Sequence, residues 1–178
     1  MFVEDKQIDS AKEAAYQAIA ISSGRLDDCQ DSEHHHILGH LHESSGETEV
    51  AIGHFVTGLE AAPSIILLRC LLHILLEGDW FDAAQIYLDS LRLFEANDPY
   101  RLDMLLVSQA YIHYGQGRLG RAKSELSHMI NTCERAGTLG DLLDDAKVFL
   151  QVLEVGTNNY RRYHILHNQS LFRWTLPI

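Results

Sequence analysis

Apolar residues recur along this chain at three- and four-residue intervals, the spacing that gathers them on one side of an α-helix. Ile8, Ala11, Ala14, Ala15, Ala18 and Ile19 predict a leading helix over 5–21, which Ser22-Ser23-Gly24 stops. The polar run 25–32 reads as a connector in which Asp31 or Ser32 caps the next helix. Residues 35–63 predict a helix, a turn at Gly46 and a second, antiparallel helix that Pro63 ends. In the segment 64–77 (SIILLRCLLHILLE) aliphatic residues surround the helix axis instead of forming a stripe, which is the pattern of a buried helix. Gly78-Asp79 predicts a turn, 80–96 a helix, and Asp98-Pro99 the capped start of another over 100–115. Leu119, Ala122, Leu126, Met129, Ile130 and Cys133 trace a stripe within 118–136, ended by Gly137. Leu139, Leu142, Leu143, Ala146, Phe149, Leu150 and Leu153 mark a final amphipathic helix over 139–155.

Small residues add a second regularity. Leu38-Gly39 sets an apolar side chain beside a position with none, and Ala51 is its expected partner across an antiparallel helix pair. Phe55 follows one turn later, and Gly58 permits another close contact. Aligning Gly78 with Gly46 places Trp80, Ala83, Tyr87 and Ser90 at the positions of Thr48, Ala51, Phe55 and Gly58. Aligning Gly117 places Leu119, Ala122, Leu126 and Met129 there, with Ala110 for Gly39; the glycine intervals are 32 and 39 residues.

This pattern resembles the tetratricopeptide repeat, a helix-turn-helix unit of about 34 residues. His35 and His42 stand where that family has aromatics. The resemblance implies an all-α, right-handed solenoid of antiparallel helix pairs: a leading helix, repeats at 32–63, 64–98 and 99–137, and a helix over 139–155 capping the last apolar face. It also implies protein binding in a concave groove. By analogy Ile65, Leu68, Leu72 and Leu75 line that groove, Met104, Val107, Tyr111 and Tyr114 continue it, and Glu33, His36 and His40 form its polar end. The Lys, Arg and Asn clamp that some members use for acidic chain termini is replaced by His36, His40, Ile65 and Leu68. The rival reading of the same aliphatic set is internal burial, under the chain's own tail, its leading helix or a second copy.

Composition narrows the partners. With 178 residues and 46% hydrophobic content, one domain through residue 156 is the expectation. No apolar run is long enough to span a membrane, Met1–Ser10 is acidic where a leader would be basic, and the three cysteines form no CxxC pair. A cytoplasmic setting is expected. The net charge is −11, but residues 1–156 hold all 25 acids while 157–178 carry three arginines and no acid. Nucleic acid is therefore a poor partner, and an apolar or basic segment of another protein a better one. The arm 157–178, with Tyr160, Tyr163, Phe172 and Trp174 among its arginines, suits an acidic apolar surface in the same subunit or in a homodimer.

Candidate chemistry rests on histidine. Glu33, His36, His40 and Glu43 share one helical face, and histidines at i and i+4 can share a metal. There is no HExxH, and spacing fixes no third ligand. The expectation is therefore a non-catalytic adaptor, scaffold or chaperone-like module with no metal, cofactor or catalytic residue. The alternatives are a regulatory repeat domain of a bacterial transcriptional activator or secretion chaperone, and a metal-dependent hydrolase on the Glu33, His36, His40 face.

Overall fold

In the computed structural model, residues 2–22, 27–95, 99–136 and 141–155 are described, and among them every regular element is a helix. These are α1 (Phe2–Ser22), α2 (Asp28–Ser44), α3 (Thr48–Ala61), α4 (Ile65–Glu77), α5 (Phe81–Glu95), α6 (Pro99–Gly115), α7 (Leu119–Ala136) and α8 (Asp141–Val155). The all-α class expected from periodicity is thus the observed one. No helix of the described residues is long and apolar enough to cross a membrane. The Asp98 and Gly137 boundaries, the Met104 side chain and the arm 157–178 lie outside the described residues.

Helix α2 starts earlier than the sequence suggests. Asp27, not Asp31 or Ser32, caps α2, its carboxylate accepting from the Gln30 N–H at 2.8 Å. Asp28 and Asp31 fall in the first turn, where negative charge opposes the exposed N–H groups, so this acidic run is a helix start and not a connector.

Three helices end in the same turn. The N–H groups of Glu47, Trp80 and Arg118 reach back to the carbonyls of His42, Leu75 and His113 at 2.9, 2.9 and 2.7 Å. One residue before each donor the backbone is left-handed: Gly46 at φ 74°, Asp79 at φ 60° and Gly117 at φ 73°. This is the Schellman arrangement, which satisfies the last helical carbonyls. It corrects the second alignment by one residue, because the position equivalent to Gly46 is Asp79 and not Gly78. With that shift Ala51, Ala84 and Ala122 coincide, as do Phe55, Leu88 and Leu126, and all six side chains are fully buried. Ala83, Tyr87 and Ser90, the earlier equivalents, are only half-buried.

Chain contacts group the residues into two compact units, 1–74 and 75–178, with the boundary inside α4, where the sequence suggests one continuous domain. In the first unit α2 packs on α3, and α1 packs on α2. The notch at Gly39 is filled by the Phe55 ring, not by Ala51: a Cβ there would collide with three ring carbons. Gly58 provides the expected second approach, its absent Cβ facing the Ser32 carbonyl, His35 Cβ and Leu67 Cδ1, each at 3.0 Å. From α1, Lys12 is buried and pairs with Glu47, while the Tyr16 hydroxyl lies 2.8 Å from His42 Nε2 and 3.0 Å from His54 Nε2. In the second unit α6 packs on α5, α7 and α8. Phe81, Tyr111, Tyr114 and Phe149 form an edge-to-face aromatic cluster, with Phe81 set into the gap left by Gly115.

Candidate functional site

The histidine face of α2 meets α4. The i, i+4 spacing stacks His36 and His40 one above the other, their Nε2 atoms 3.0 Å apart and rings edge to face. Cys70 of α4 completes a triangle, with Sγ 3.6 Å from His36 Nε2 and 3.5 Å from His40 Nε2. Phe55 backs the pair, its ring centroid 5.2 Å from that of His40 and 6.4 Å from that of His36. The glycine at 39 thus has a role in the site as well as in packing: it lets Phe55 stand under both imidazoles.

Glu43 fixes the tautomer. Its Oε2 lies 2.8 Å from His40 Nδ1, so the carboxylate accepts from Nδ1–H and leaves the His40 Nε2 lone pair facing His36 and Cys70. His73 Nε2 approaches the other Glu43 oxygen at 3.9 Å. Burial lowers the His36 pKa, and His40 lowers it further against the opposing pull of Glu33 and Glu43. Burial, with Glu43 second, pushes the Cys70 thiol up to about 12. At neutral pH the cluster therefore holds neutral His36 and a protonated thiol. Such a thiol is a poor nucleophile, since reactivity belongs to the thiolate.

The predicted site residues separate into three groups. His36 and His40 are brought together as the spacing requires, half-buried, while Glu33 is exposed and outside the ligand cluster. Leu68, Leu72, Leu75, Val107 and Tyr111 are at most 5% exposed, so these proposed groove positions are occupied interior of the chain itself. The all-round apolar pattern of α4 suggests such burial for Leu68, Leu72 and Leu75. Ile65 and Tyr114 are half-buried, and among the predicted residues whose side chains are described only they and the α2 residues keep surface for a partner.

Two features escaped the sequence. Cys70 is one cysteine among nine aliphatic residues in 64–77, and nothing in its own segment marks it. The α5 helix is apolar on its outer side as well as its inner one: Ile86, Leu93 and Phe94 are 66%, 84% and 54% exposed, opposite fully buried Ala84, Leu88 and Leu91. The i, i+7, i+8 spacing of the exposed three was available in the sequence. In the second unit, Gln85 and Gln109 exchange amide hydrogen bonds of 3.1 and 2.7 Å beside the 3.3 Å His113–Glu125 pair, a polar seam in which His113 Nδ1, Gln116 Oε1 and Glu125 Oε2 are buried without a hydrogen-bond partner among the described residues.

The chain matches no protein-family model, no curated protein and no solved structure.

Proposed function

We propose that this chain is a non-catalytic helical interaction module that binds an apolar, basic-flanked segment of another polypeptide. The carrying observation is the outer face of α5, where Ile86, Leu93 and Phe94 stand in solvent on one side of the helix. Burying each such side chain contributes about 1.5–3 kcal/mol, enough together for specific association. The net charge of −11 favours a partner of opposite sign. This reading assigns the interaction surface to α5 and leaves Leu68 and Leu72 to the interior.

The same reading takes the three repeated turns as marks of three tetratricopeptide-like units in a right-handed solenoid, supported by the coincident turn geometry and the three aligned alanines. A reducing cytoplasm accords with an odd number of cysteines and no CxxC pair. A regulatory domain or a secretion chaperone would use the same surface and differ in the partner alone.

The test is site-specific photo-crosslinking in the full chain, expressed in its source cells. A crosslinking amino acid at position 86 or 93 should give one discrete polypeptide adduct, lost on Phe94→Glu, while the same group at exposed Thr132 gives none. An adduct of twice the chain mass identifies self-association. Equal labelling at all three positions, or none at 86 and 93, refutes the reading.

A further inference from the structure

We propose that His36 Nε2, His40 Nε2 and Cys70 Sγ are three ligands of a tetrahedral zinc-type divalent cation, with Glu43 orienting His40. The inference is independent of the interaction reading, because it rests on the α2–α4 contact and not on α5.

The geometry carries it. With zinc–nitrogen bonds of about 2.0–2.1 Å and a zinc–sulfur bond of about 2.3 Å, a tetrahedral centre separates two nitrogens by about 3.3 Å and nitrogen from sulfur by about 3.6 Å. The corresponding separations here are 3.0, 3.6 and 3.5 Å. A trigonal-planar centre with the same bonds needs about 3.5 and 3.8 Å, so the triangle is too small for three-coordination and leaves a fourth position. The donor set agrees: two imidazoles and a thiolate suit zinc, whereas magnesium and calcium want oxygen. Carboxylate bonding to the distal nitrogen of a ligating imidazole is the usual outer support of such a centre, and the Glu43–His40 bond supplies it at 2.8 Å. The His40 and Glu43 side chains keep 21% and 24% of their surface exposed, so solvent water can reach the fourth position. On loading, the sulfur–metal bond forms as Cys70 gives its S–H proton to solvent. The cation thereby stabilises a thiolate that burial alone disfavours.

Metal-stripped full-length protein should be titrated with Co2+ and followed by absorption. Saturation at one equivalent is expected, with a thiolate-to-cobalt charge-transfer band, intense tetrahedral d–d bands, and displacement by one equivalent of Zn2+. Cys70→Ala should abolish the charge-transfer band, and Cys133→Ala should keep it. Glu43→Gln should retain the band while weakening Zn2+ affinity about 10–100-fold, as expected for a positioning residue. Should the buried Cys70→Ala site cost the chain its helical circular dichroism, X-ray absorption of the zinc-loaded wild type decides, with one sulfur and two imidazoles expected. A sulfur-free shell, weak octahedral bands, or charge transfer that survives in folded Cys70→Ala overturns the proposal.

Discussion

At the scale of single residues, the glycines divide by what surrounds them. Gly39 and Gly115 face aromatic rings, Phe55 and Phe81, so a methyl group at either must displace a packed ring. Gly39→Ala should destabilise the chain by about 1–3 kcal/mol, seen as a lower urea midpoint with an unchanged slope. Gly117 meets no neighbour within 4 Å but has φ 73°, so Gly117→Ala should cost about 1–2 kcal/mol from backbone strain alone. Gly53 in α3 is also open, without the positive φ; Gly53→Ala should instead stabilise by about 0.5–1 kcal/mol. Opposite signs at 117 and 53 in the same denaturation assay would establish that backbone conformation, and not space, separates them.

At the scale of elements, the α2–α3 pair carries a ring cluster with a pH dependence. His54 stacks on His42 at 5.1 Å, approaches His35 Nδ1 at 3.0 Å, and contacts the Tyr16 hydroxyl. Lys12 and Glu47 complete the charged surroundings through His42. Burial, then His35 and His42, lowers the His54 pKa to about 4 from its ordinary 6.5. Between those values the unfolded chain takes up a proton that the folded chain refuses, so this contribution makes stability fall as pH drops from 6.5 toward 4. Urea midpoints at pH 7 and pH 5 should differ in that direction, and His54→Gln should reduce the difference.

The helices themselves were legible because their signals are local: stripes such as Ala122, Leu126, Met129 and Cys133 are buried as their spacing requires. The middle turn was misread by one residue because Gly78 looks like the left-handed position, and the chain puts Asp79 there instead. Periodicity identified His36 and His40 as neighbours but not Cys70, since the register between α2 and α4 is set by packing around Phe55 and Gly58, which no spacing within either helix encodes.

At the scale of the whole molecule, the aliphatic wealth of α4 belongs to the interior. Leu68 and Leu72 are each 3% exposed. A carboxylate at either position would be buried without a designed partner. Leu68→Asp and Leu72→Asp should therefore abolish the cooperative thermal transition, not merely weaken a surface contact. Cooperative melting of either variant near the wild-type temperature would contradict the interior assignment. The acidic exterior belongs to a different level: it governs which partners approach, while the largely apolar interior governs whether the chain folds.

The contact of Cys70 with His36 also has a topological consequence. It is a chord joining points 34 residues apart, with all of α3 inside the loop it closes. A bond that fixed the chord in the unfolded chain would remove conformations worth about 4 kcal/mol on a loop-closure estimate, comparable to a disulfide. A coordinated cation that releases on unfolding leaves that entropy intact and instead adds its binding free energy to the folded side. The two cases respond differently to a chelator. The covalent chord would ignore it, whereas a metal chord would make the melting temperature a readout of free-metal concentration, turning the α2–α4 contact into a gauge of its surroundings.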